Sequence, residues 1–246
     1  MKARHIVIVA KIVVVNFVTL NLDAQGWTWA EQMGSVNEDF ANAICNDGSG
    51  NVFLSTRIFF PFGVFGSDTI PVSGLYDIFL TKIDINGNNL WTKRAGGYNP
   101  DGGLESADDV VYESNTQSIL VAGSMRGSGK VIGNCELGGE DIAFLSKLDM
   151  DGNCTWAVEL ANFGSPSMLS IATDNAGHVY LTGNTKYVFY FKDTLAIQPG
   201  GFLAKLRSSD GTLIWIKKIL EPGGSLFDLT YKNSKLFIGG GTGINK

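Results

Sequence analysis

Short apolar runs alternate along the chain with clusters of Asp, Asn and Gly. The runs Ser170–Thr173 and His178–Gly183, for example, flank the polar segment Asp174–Gly177. Runs of this length are typical of β-strands, and Asp, Asn and Gly are the residues that tight hairpin turns require. We find no helical period of 3.6 residues after the first 25 positions. The pattern therefore predicts an all-β chain built from hairpins.

One hairpin recurs three times and ends each time on a tryptophan, at Asp77–Trp91, Asp141–Trp156 and Gly201–Trp215. Each copy carries a lysine in register, followed by a polar turn with Gly and then the tryptophan; the lysines are Lys82, Lys147 and Lys205. Counted from Trp29, the tryptophans are 62, 65 and 59 residues apart. A fixed period of this size indicates a repeat architecture. We interpret the tryptophans as structural, each holding an outer strand against its neighbour.

A second hairpin precedes each of these copies. It spans Ala43–Ser55, Val110–Gly123 and Ser170–Gly183, and a fourth copy runs from Leu226 to Gly240. Two hairpins per repeat make four antiparallel strands in about 60 residues, which is the content of a β-propeller blade. A β-solenoid is the main alternative, but its repeats are usually shorter.

We therefore predict a β-propeller of four-stranded antiparallel blades over residues 25–246. Its parts are expected as a lone outer strand at 26–34, blades at about 40–97, 106–161 and 167–220, and a partial blade at 224–246. The last repeat shows only its first hairpin. This favours an incomplete propeller in a truncated chain over a four-bladed ring with one defective blade.

The first 24 residues have the order of a secretory signal peptide. Basic residues are followed by an apolar run from Ile6 to Leu20, and Ala24 is a small residue at which a signal peptidase could cut. Lys11 interrupts the run, which leaves it well short of the ~20 residues that a membrane-spanning helix needs. We expect residues 1–24 to be removed, and the mature protein to be secreted or at the cell surface without stable membrane insertion. An uncleaved anchor is the alternative.

Charge and composition narrow the classes of partner. Glycine is abundant, at 31 residues, while proline numbers six, a balance that fits short strands and tight turns. The formal net charge is −5, and loss of the signal removes three bases and one acid, leaving −7. An acidic chain lacks the basic surface that nucleic acid requires, so no nucleic-acid partner is expected.

The three cysteines are Cys45, Cys135 and Cys154. An odd number leaves at least one unpaired, and the absence of CxxC spacing argues against a zinc site. Cys135 and Cys154 could pair within one repeat, although their spacing does not demand it. A disulfide framework is not expected in a core of this size.

These repeats resemble the bacterial secreted β-propeller repeat family, the SBBP-like repeats. Asp174–Gly183 is similar to the family's Asp-x-x-Gly-Asn-hydrophobic-Tyr-hydrophobic-Thr-Gly hairpin, and Asp77–Trp91 and Asp141–Trp156 are similar to its tryptophan-ending hairpin. The resemblance covers essentially all of the mature chain. It implies a propeller at or outside the cell envelope and no agreed biochemical activity. The end Asp210–Trp215 also resembles repeats of quinone-dependent propeller dehydrogenases, whose cofactor site cannot be placed on this chain.

Two turns are weak calcium candidates. Asp84 with Asn86, and Asp149 with Asp151, resemble the start of a calcium loop but lack its acidic twelfth position. Asp-x-Asx-Gly is also what a tight hairpin prefers, and we favour that interpretation. We therefore predict neither a metal site nor another cofactor.

Groups suited to catalysis are scarce. His178 is the only histidine in the mature chain and occupies a turn position. The carboxylate pairs Asp108–Asp109 and Glu140–Asp141 could in principle serve glycoside cleavage, but we favour solvated loops. No catalytic residue is predicted.

An aromatic run interrupts the first repeat between its two hairpins. It contains Phe59, Phe60, Phe62 and Phe65. If exposed, it would form an apolar patch suited to a partner. Packing of an inter-strand loop against the next blade is the alternative, and we favour it.

Taken together, these features predict an exported, non-enzymatic propeller that serves as a scaffold or recognition module for an unidentified protein or glycan. The alternative is a fragment of a propeller enzyme, either quinone-dependent or acting on polysaccharide.

Overall fold

The computed structural model describes residues 29–98, 105–139, 141–162, 167–191 and 195–242, and all of its regular structure is β-strand. The all-β prediction is confirmed, and neighbouring strands pair antiparallel throughout. The described residues contain no helix that could cross a membrane. The predicted signal peptide, residues 1–24, lies outside the described residues, as do positions 26–28 of the predicted lone strand.

Each sequence repeat forms its own antiparallel sheet. Sheet 1 contains β2 (Asp39–Asn46), β3 (Val52–Phe59), β6 (Tyr76–Ile83) and β7 (Asn89–Tyr98), in that order. Sheet 2 contains β8 (Ser106–Glu113), β9 (Ser118–Arg126), β12 (Asp141–Leu148) and β13 (Cys154–Asn162). Sheet 3 contains β14 (Ser167–Thr173), β15 (His178–Thr185), β18 (Gly200–Arg207) and β19 (Leu213–Leu220). Sheet 4 contains β20 (Gly224–Lys232) and β21 (Lys235–Thr242).

The core lies between successive sheets. In β6, Ile78 and Leu80 pack towards sheet 2, whereas Phe79 packs with Phe65 on the opposite side of sheet 1. Because consecutive strand residues point to opposite faces, a strand buried on both faces is apolar at nearly every position. This explains why the inner strands read as continuous apolar runs.

The first strands of consecutive sheets lie side by side, β2 beside β8, β8 beside β14, and β14 beside β20. Polar contacts join them: Asn42 Nδ2 donates to Ala107 O at 3.1 Å, and the Leu229 amide donates to Ser170 Oγ at 3.1 Å. A β-bulge near these residues shifts the register of each first strand against the second. A bulge turns local groups out of the ladder, which leaves them free to bond with the neighbouring sheet.

A short extra hairpin joins the second and third strands of each complete repeat, and each one lies against the preceding repeat. The hairpins are β4 (Phe62–Phe65) with β5 (Asp68–Pro71), β10 (Ser128–Ile132) with β11 (Cys135–Leu137), and β16 (Phe189–Phe191) with β17 (Leu195–Ile197). Strand β10 pairs with β7 and so extends sheet 1, β4 pairs with β1 (Met33–Gly34), and β16 lies beside β13. This pairing between repeats was not predicted from the sequence.

A disulfide joins Cys135 in β11 to Cys154 in β13, with 5.7 Å between the Cα atoms. It links the hairpin that extends sheet 1 to the outer strand of sheet 2. Cys135 and Cys154 are therefore paired, which their spacing alone did not decide, and Cys45 is free.

Candidate functional site

Three tryptophans each donate the indole Nε1–H to a main-chain carbonyl in the following sheet. The pairs are Trp29 with Ile85 at 2.9 Å, Trp91 with Met150 at 3.0 Å, and Trp156 with Ser208 at 3.1 Å. All three acceptors lie in the turn between the third and fourth strands. We call each arrangement a tryptophan clasp. The clasps confirm the structural role predicted for Trp91 and Trp156, whereas Trp215 donates to no acceptor within the described residues.

The aligned lysines add a second donor to two clasps. Lys82 lies opposite Trp91 across the strand pair and donates to Met150 O at 3.1 Å. Lys147, opposite Trp156, donates to Ser208 O at 3.3 Å. Lys147 also pairs with Glu113 at 2.6 Å, an acid of its own repeat. Lys82 and Lys147 therefore stabilise the contact between successive sheets, and Lys147 also pairs with an acid of its own repeat.

The calcium candidates lie in these turns, where main-chain amides already bond to their carboxylates. Asp84 Oδ1 accepts from the amides of Asn86 and Asn88, both at 2.8 Å. Asp149 Oδ1 accepts in the same way from Asp151 and Asn153, at 2.9 and 2.8 Å.

The pKa values of both aspartates follow from these bonds. The pKa of Asp84 lies below its ordinary value because Asn88 hydrogen-bonds to the carboxylate. Slight burial would raise the pKa of Asp149, but the hydrogen bonds from Asn153 and Asp151 outweigh it and lower the pKa. The described residues contain no group of three or more His, Cys, Asp or Glu suited to a metal ion. The geometry is that of the hairpin turn favoured from the sequence.

The solvated-loop interpretation of Asp108–Asp109 is wrong. Both lie on β8, where Asp108 Oδ2 accepts from the Leu169 amide at 3.0 Å and Asp109 Oδ2 accepts from the Ile171 amide at 2.8 Å. Burial raises the pKa of both carboxyls, against the effect of these hydrogen bonds. The pair joins sheet 2 to sheet 3. Glu140, of the second pair, lies outside the described residues.

Two buried carboxyl groups face each other above Gly96. Glu105 Oε2 and Asp77 Oδ1 lie 2.1 and 2.8 Å from the point that a Cβ on Gly96 would occupy, and neither oxygen has a hydrogen-bond partner. Arg94 pairs with the other oxygen of Asp77 at 2.9 Å. Burial raises the pKa of Glu105 to about 8; an amide hydrogen bond from Gly97 opposes this and the charge of Asp77 adds to it. Glu105 is therefore largely protonated at neutral pH, as two facing carboxylates in a dry site require.

The aromatic run divides between core and surface. Phe65 is 0% exposed and packs on Phe79, with 5.0 Å between the ring centroids, so it does not belong to an exposed patch. Phe59 is half-buried and meets Tyr76 edge-on at 4.9 Å. Phe60 and Phe62 are 53% and 36% exposed. Phe65 therefore packs within its own repeat rather than on the next blade, and the partner role of Phe59, Phe60 and Phe62 stays a prediction.

Next to this run, Arg57 lies between two rings. Its Cζ is 4.2 Å from the Phe40 centroid and 4.9 Å from the Tyr76 centroid. Cross-strand pairing accounts for the arrangement, because Phe40 lies opposite Arg57 and Phe59 lies opposite Tyr76. Within the described part of the chain, the guanidinium has no hydrogen-bond acceptor, and its Nε is buried. We call Phe40, Arg57, Phe59, Phe60 and Tyr76 the Arg57 patch.

This patch is suited to recognition. Stacking on two rings fixes a guanidinium and contributes about 0.5–2 kcal/mol per contact. The two Nη groups make no hydrogen bond within the described residues, and a carboxylate, carbonyl or hydroxyl group is the acceptor that they suit. Exposed aromatics beside an arginine are the residue types that dominate binding surfaces. Sequence reasoning found Phe59 and Phe60 but missed Phe40, Arg57 and Tyr76, since their meeting depends on strand register.

Cys45 and His178, the free thiol and the imidazole of the described residues, lie outside the Arg57 patch and have partners of their own. Burial raises the pKa of the Cys45 thiol to about 12, and the charge of Asp109 adds to this, so the thiol stays protonated. His178 Nδ1 lies 2.8 Å from Asp174 Oδ2 within one turn, at the position that Asn153 occupies in another.

Comparison with known proteins gives distant likenesses. No protein-family model matches the chain, and no curated protein matches it, so the resemblance to SBBP-like repeats stays a prediction. A crystal structure described as the eukaryotic initiation factor has a TM-score of 0.39 at 10% identity, covering 74% of this chain and 33% of that one. This chain thus spans about a third of that protein's length. BamB from Moraxella catarrhalis has a TM-score of 0.31 at 12% identity, covering 85% of this chain and 84% of that one.

Proposed function

We propose that this protein is an exported β-propeller, related to the SBBP-like repeats, that recognises a protein or glycan at the cell surface or outside the cell without catalysing a reaction. In this proposal sheets 1 to 3 are blades, sheet 4 is part of a blade, and the first strands line the axis. The neighbouring first strands and the clasp from each sheet to the next support this arrangement.

The Arg57 patch is the observation that carries the recognition role. A cation fixed between two rings is preorganised for a ligand, since no hydrogen bond described for Arg57 has to break, and the one charge known to act with it is the Asp108 carboxylate. Phe60, which follows Phe59 in the chain, adds exposed apolar area. An acidic or hydroxyl-rich group held by Arg57, with an apolar part against the rings, is the chemistry that fits.

Two features support export. Residues 1–24 have the signal-peptide pattern, and the Cys135–Cys154 disulfide suits an oxidising compartment. Expression of the full chain with its leader in a bacterium tests this. We expect the protein in the exported fraction to begin at Gln25, with Cys135 and Cys154 oxidised. Retention of the leader on cytoplasmic protein would contradict export.

The recognition role is tested by screening the mature chain against a glycan array and a phage-displayed peptide library. We expect a ligand whose binding falls at least about tenfold in Arg57→Gln and in Phe60→Ala. Phe227→Ala is the matched control, because Phe227 is also 53% exposed but lies on β20. Binding that is equally insensitive to all three changes would remove the Arg57 patch from the proposal.

The enzyme alternative is tested separately with calcium and pyrroloquinoline quinone. We expect no shift in melting temperature when both are added to the purified chain. A reproducible rise would favour the quinone-dependent alternative, because a ligand that binds the native state raises its stability.

A further inference from the structure

A short loop between β5 and β6 fixes the aromatic side of the Arg57 patch. The Phe60 amide donates to Leu75 O at 3.0 Å, and the Val72 amide donates to Pro61 O at 3.1 Å. Tyr76, one of the two rings against the guanidinium, is the first residue of β6 and follows this loop directly. The order of the patch therefore depends on what holds the loop.

Asp77, which is fully buried, holds this loop. Its Oδ2 accepts from the Ser73 amide at 2.6 Å and from Arg94 Nη1 at 2.9 Å. Its Oδ1 and Glu105 Oε2 lie beside the same point above Gly96, and neither oxygen has a hydrogen-bond partner within the described residues. Two ionised carboxylates repel each other in such a site, whereas a protonated one can donate to the other. The loop is thus tied, through Asp77, to the protonation of Glu105.

We propose that Glu105 and Asp77 are positioning residues for the Arg57 patch, which is ordered while Glu105 carries a proton and loosens when Glu105 ionises. The importance of this for recognition rests on the proposed function, but the order of the patch can be measured without a ligand. When protonated, Glu105 donates to Asp77 and leaves the other oxygen of Asp77 to the Ser73 amide. When Glu105 ionises, two like charges meet in a buried site, so the carboxylates separate and the Ser73 amide loses its acceptor.

The sign of the pH dependence follows from the burial of Glu105. Burial raises the pKa of this carboxyl to about 8; the charge of Asp77 adds to the rise, and the charge of Arg94 opposes it. The proton is therefore held at neutral pH and is lost as the pH rises through about 8. The patch should be ordered in neutral solution and loosened in alkaline solution.

Other charged groups lie around the pair and the patch. Arg126 pairs with Asp141 at 3.7 Å, and Lys130 on β10 donates to two main-chain carbonyls. Asp108 is the acid whose charge acts with the guanidinium of the patch. Because none of these groups changes in Glu105→Gln, comparing that variant with the wild type isolates the effect of Glu105.

Fluorine NMR of the mature chain labelled with fluorophenylalanine tests the proposal, because it observes the folded state directly and needs no ligand. Phe59 is the reporter, since it is half-buried in the patch, and Phe144, fully buried in β12, is the internal control. We expect the Phe59 signal to shift with a midpoint near pH 8 and to become more sensitive to replacement of light by heavy water, which reports solvent contact. The Phe144 signal should not change.

Two variants separate positioning from other effects of pH. In Glu105→Gln the pH-dependent shift of Phe59 should disappear, because the amide donates to Asp77 at every pH. Asp141→Asn is the matched control, since it removes an acid that lies outside the pair and whose side chain is 45% exposed. This variant should keep the wild-type pH profile.

Three results would each overturn the proposal. They are a Phe59 signal without a midpoint near pH 8, which needs no variant, a pH profile that persists in Glu105→Gln, and an equal shift of Phe144. A Phe59 signal that behaves as expected, in a protein that binds nothing in the glycan and peptide screens, would overturn the recognition role and support the positioning role.

Discussion

Trp91 and Met150 are 59 residues apart in the chain, yet a hydrogen bond of 3.0 Å joins them across two sheets. Lys82 donates to the same oxygen. One carbonyl of sheet 2 thus accepts from both the third and the fourth strand of sheet 1, and the same arrangement recurs one repeat later at Ser208.

Removal of a filled clasp should cost more stability than the same change at an unfilled one. Trp156→Phe is expected to lower the free energy of unfolding by about 1 kcal/mol, since it deletes the bond to Ser208. Trp215→Phe should lose less, because its ring also packs on a core cluster but donates no such bond within the described residues. Urea unfolding followed by circular dichroism measures both. Equal losses would mean that ring packing, and not the hydrogen bond, carries the effect.

Gly211 should be less replaceable than its backbone angle alone implies. Its φ of +69° is close to the +76° of Gly48, so alanine pays a similar backbone penalty at both sites. A Cβ on Gly211, however, would lie 2.9 Å from both Trp156 and Val158, whereas nothing lies within 4 Å at Gly48. We expect Gly211→Ala to lose about 1–3 kcal/mol more than Gly48→Ala in urea unfolding. Similar losses would show that the ring moves aside freely.

The Glu105–Asp77 pair predicts stability that decreases as the pH rises. The pKa of Glu105 is raised from 4.5 to about 8, so between these values the folded state holds a proton that the unfolded state has released. The contribution is complete below pH 4.5 and is lost as the pH approaches 8. The raised pKa values of Asp108 and Asp109 also make stability decrease as the pH rises. The lowered pKa of Asp84 makes stability decrease as the pH falls into the acidic range.

Glu105→Gln isolates this effect. An amide can donate to Asp77 Oδ1 at every pH, so the variant should be less sensitive than the wild type between pH 5 and 8. The difference in unfolding free energy between the two proteins should change by a few kcal/mol across this range, on the order set by the shift. Parallel curves from urea unfolding at several pH values would contradict the assignment.

The disulfide should contribute substantially to stability. Cys135 and Cys154 are 19 residues apart, and closing a loop of this size in the unfolded chain is worth about 3 kcal/mol. We expect the double change to serine at these positions to lose about that amount in urea unfolding. Dithiothreitol should destabilise the wild type but not the double variant. Cys45→Ser, at the free cysteine, is the control and should remain sensitive to reduction.

Local patterns predicted much of this fold. Hairpins such as Ala43–Ser55 follow from turn residues between apolar runs, and the register of Lys82 with Trp91 could be read from the repeat. Pairing between repeats could not be read in this way. The approach of β10 to β7 and of Asp109 to the Ile171 amide depends on how sheets pack, and a short polar stretch looks the same in a loop as at a buried joint.

For the same reason, only part of the candidate site could be predicted from the sequence. The phenylalanines stand out as a run, but Phe40 is 17 positions before Arg57 and meets it through cross-strand pairing. Phe65 looked equivalent to Phe62, and only the alternation of faces along β4 separates them.

Each tryptophan clasp runs in one direction, from a donor to an acceptor 52 to 59 residues later in the chain. A polypeptide leaves the ribosome or an export channel with its amino end first. Each sheet therefore emerges with its indole uncapped and is completed when the following repeat arrives. At every stage of synthesis, the most recently made sheet is the one whose clasp lacks its acceptor. A pause would therefore leave one incomplete sheet exposed, while the clasps of the earlier sheets have already formed.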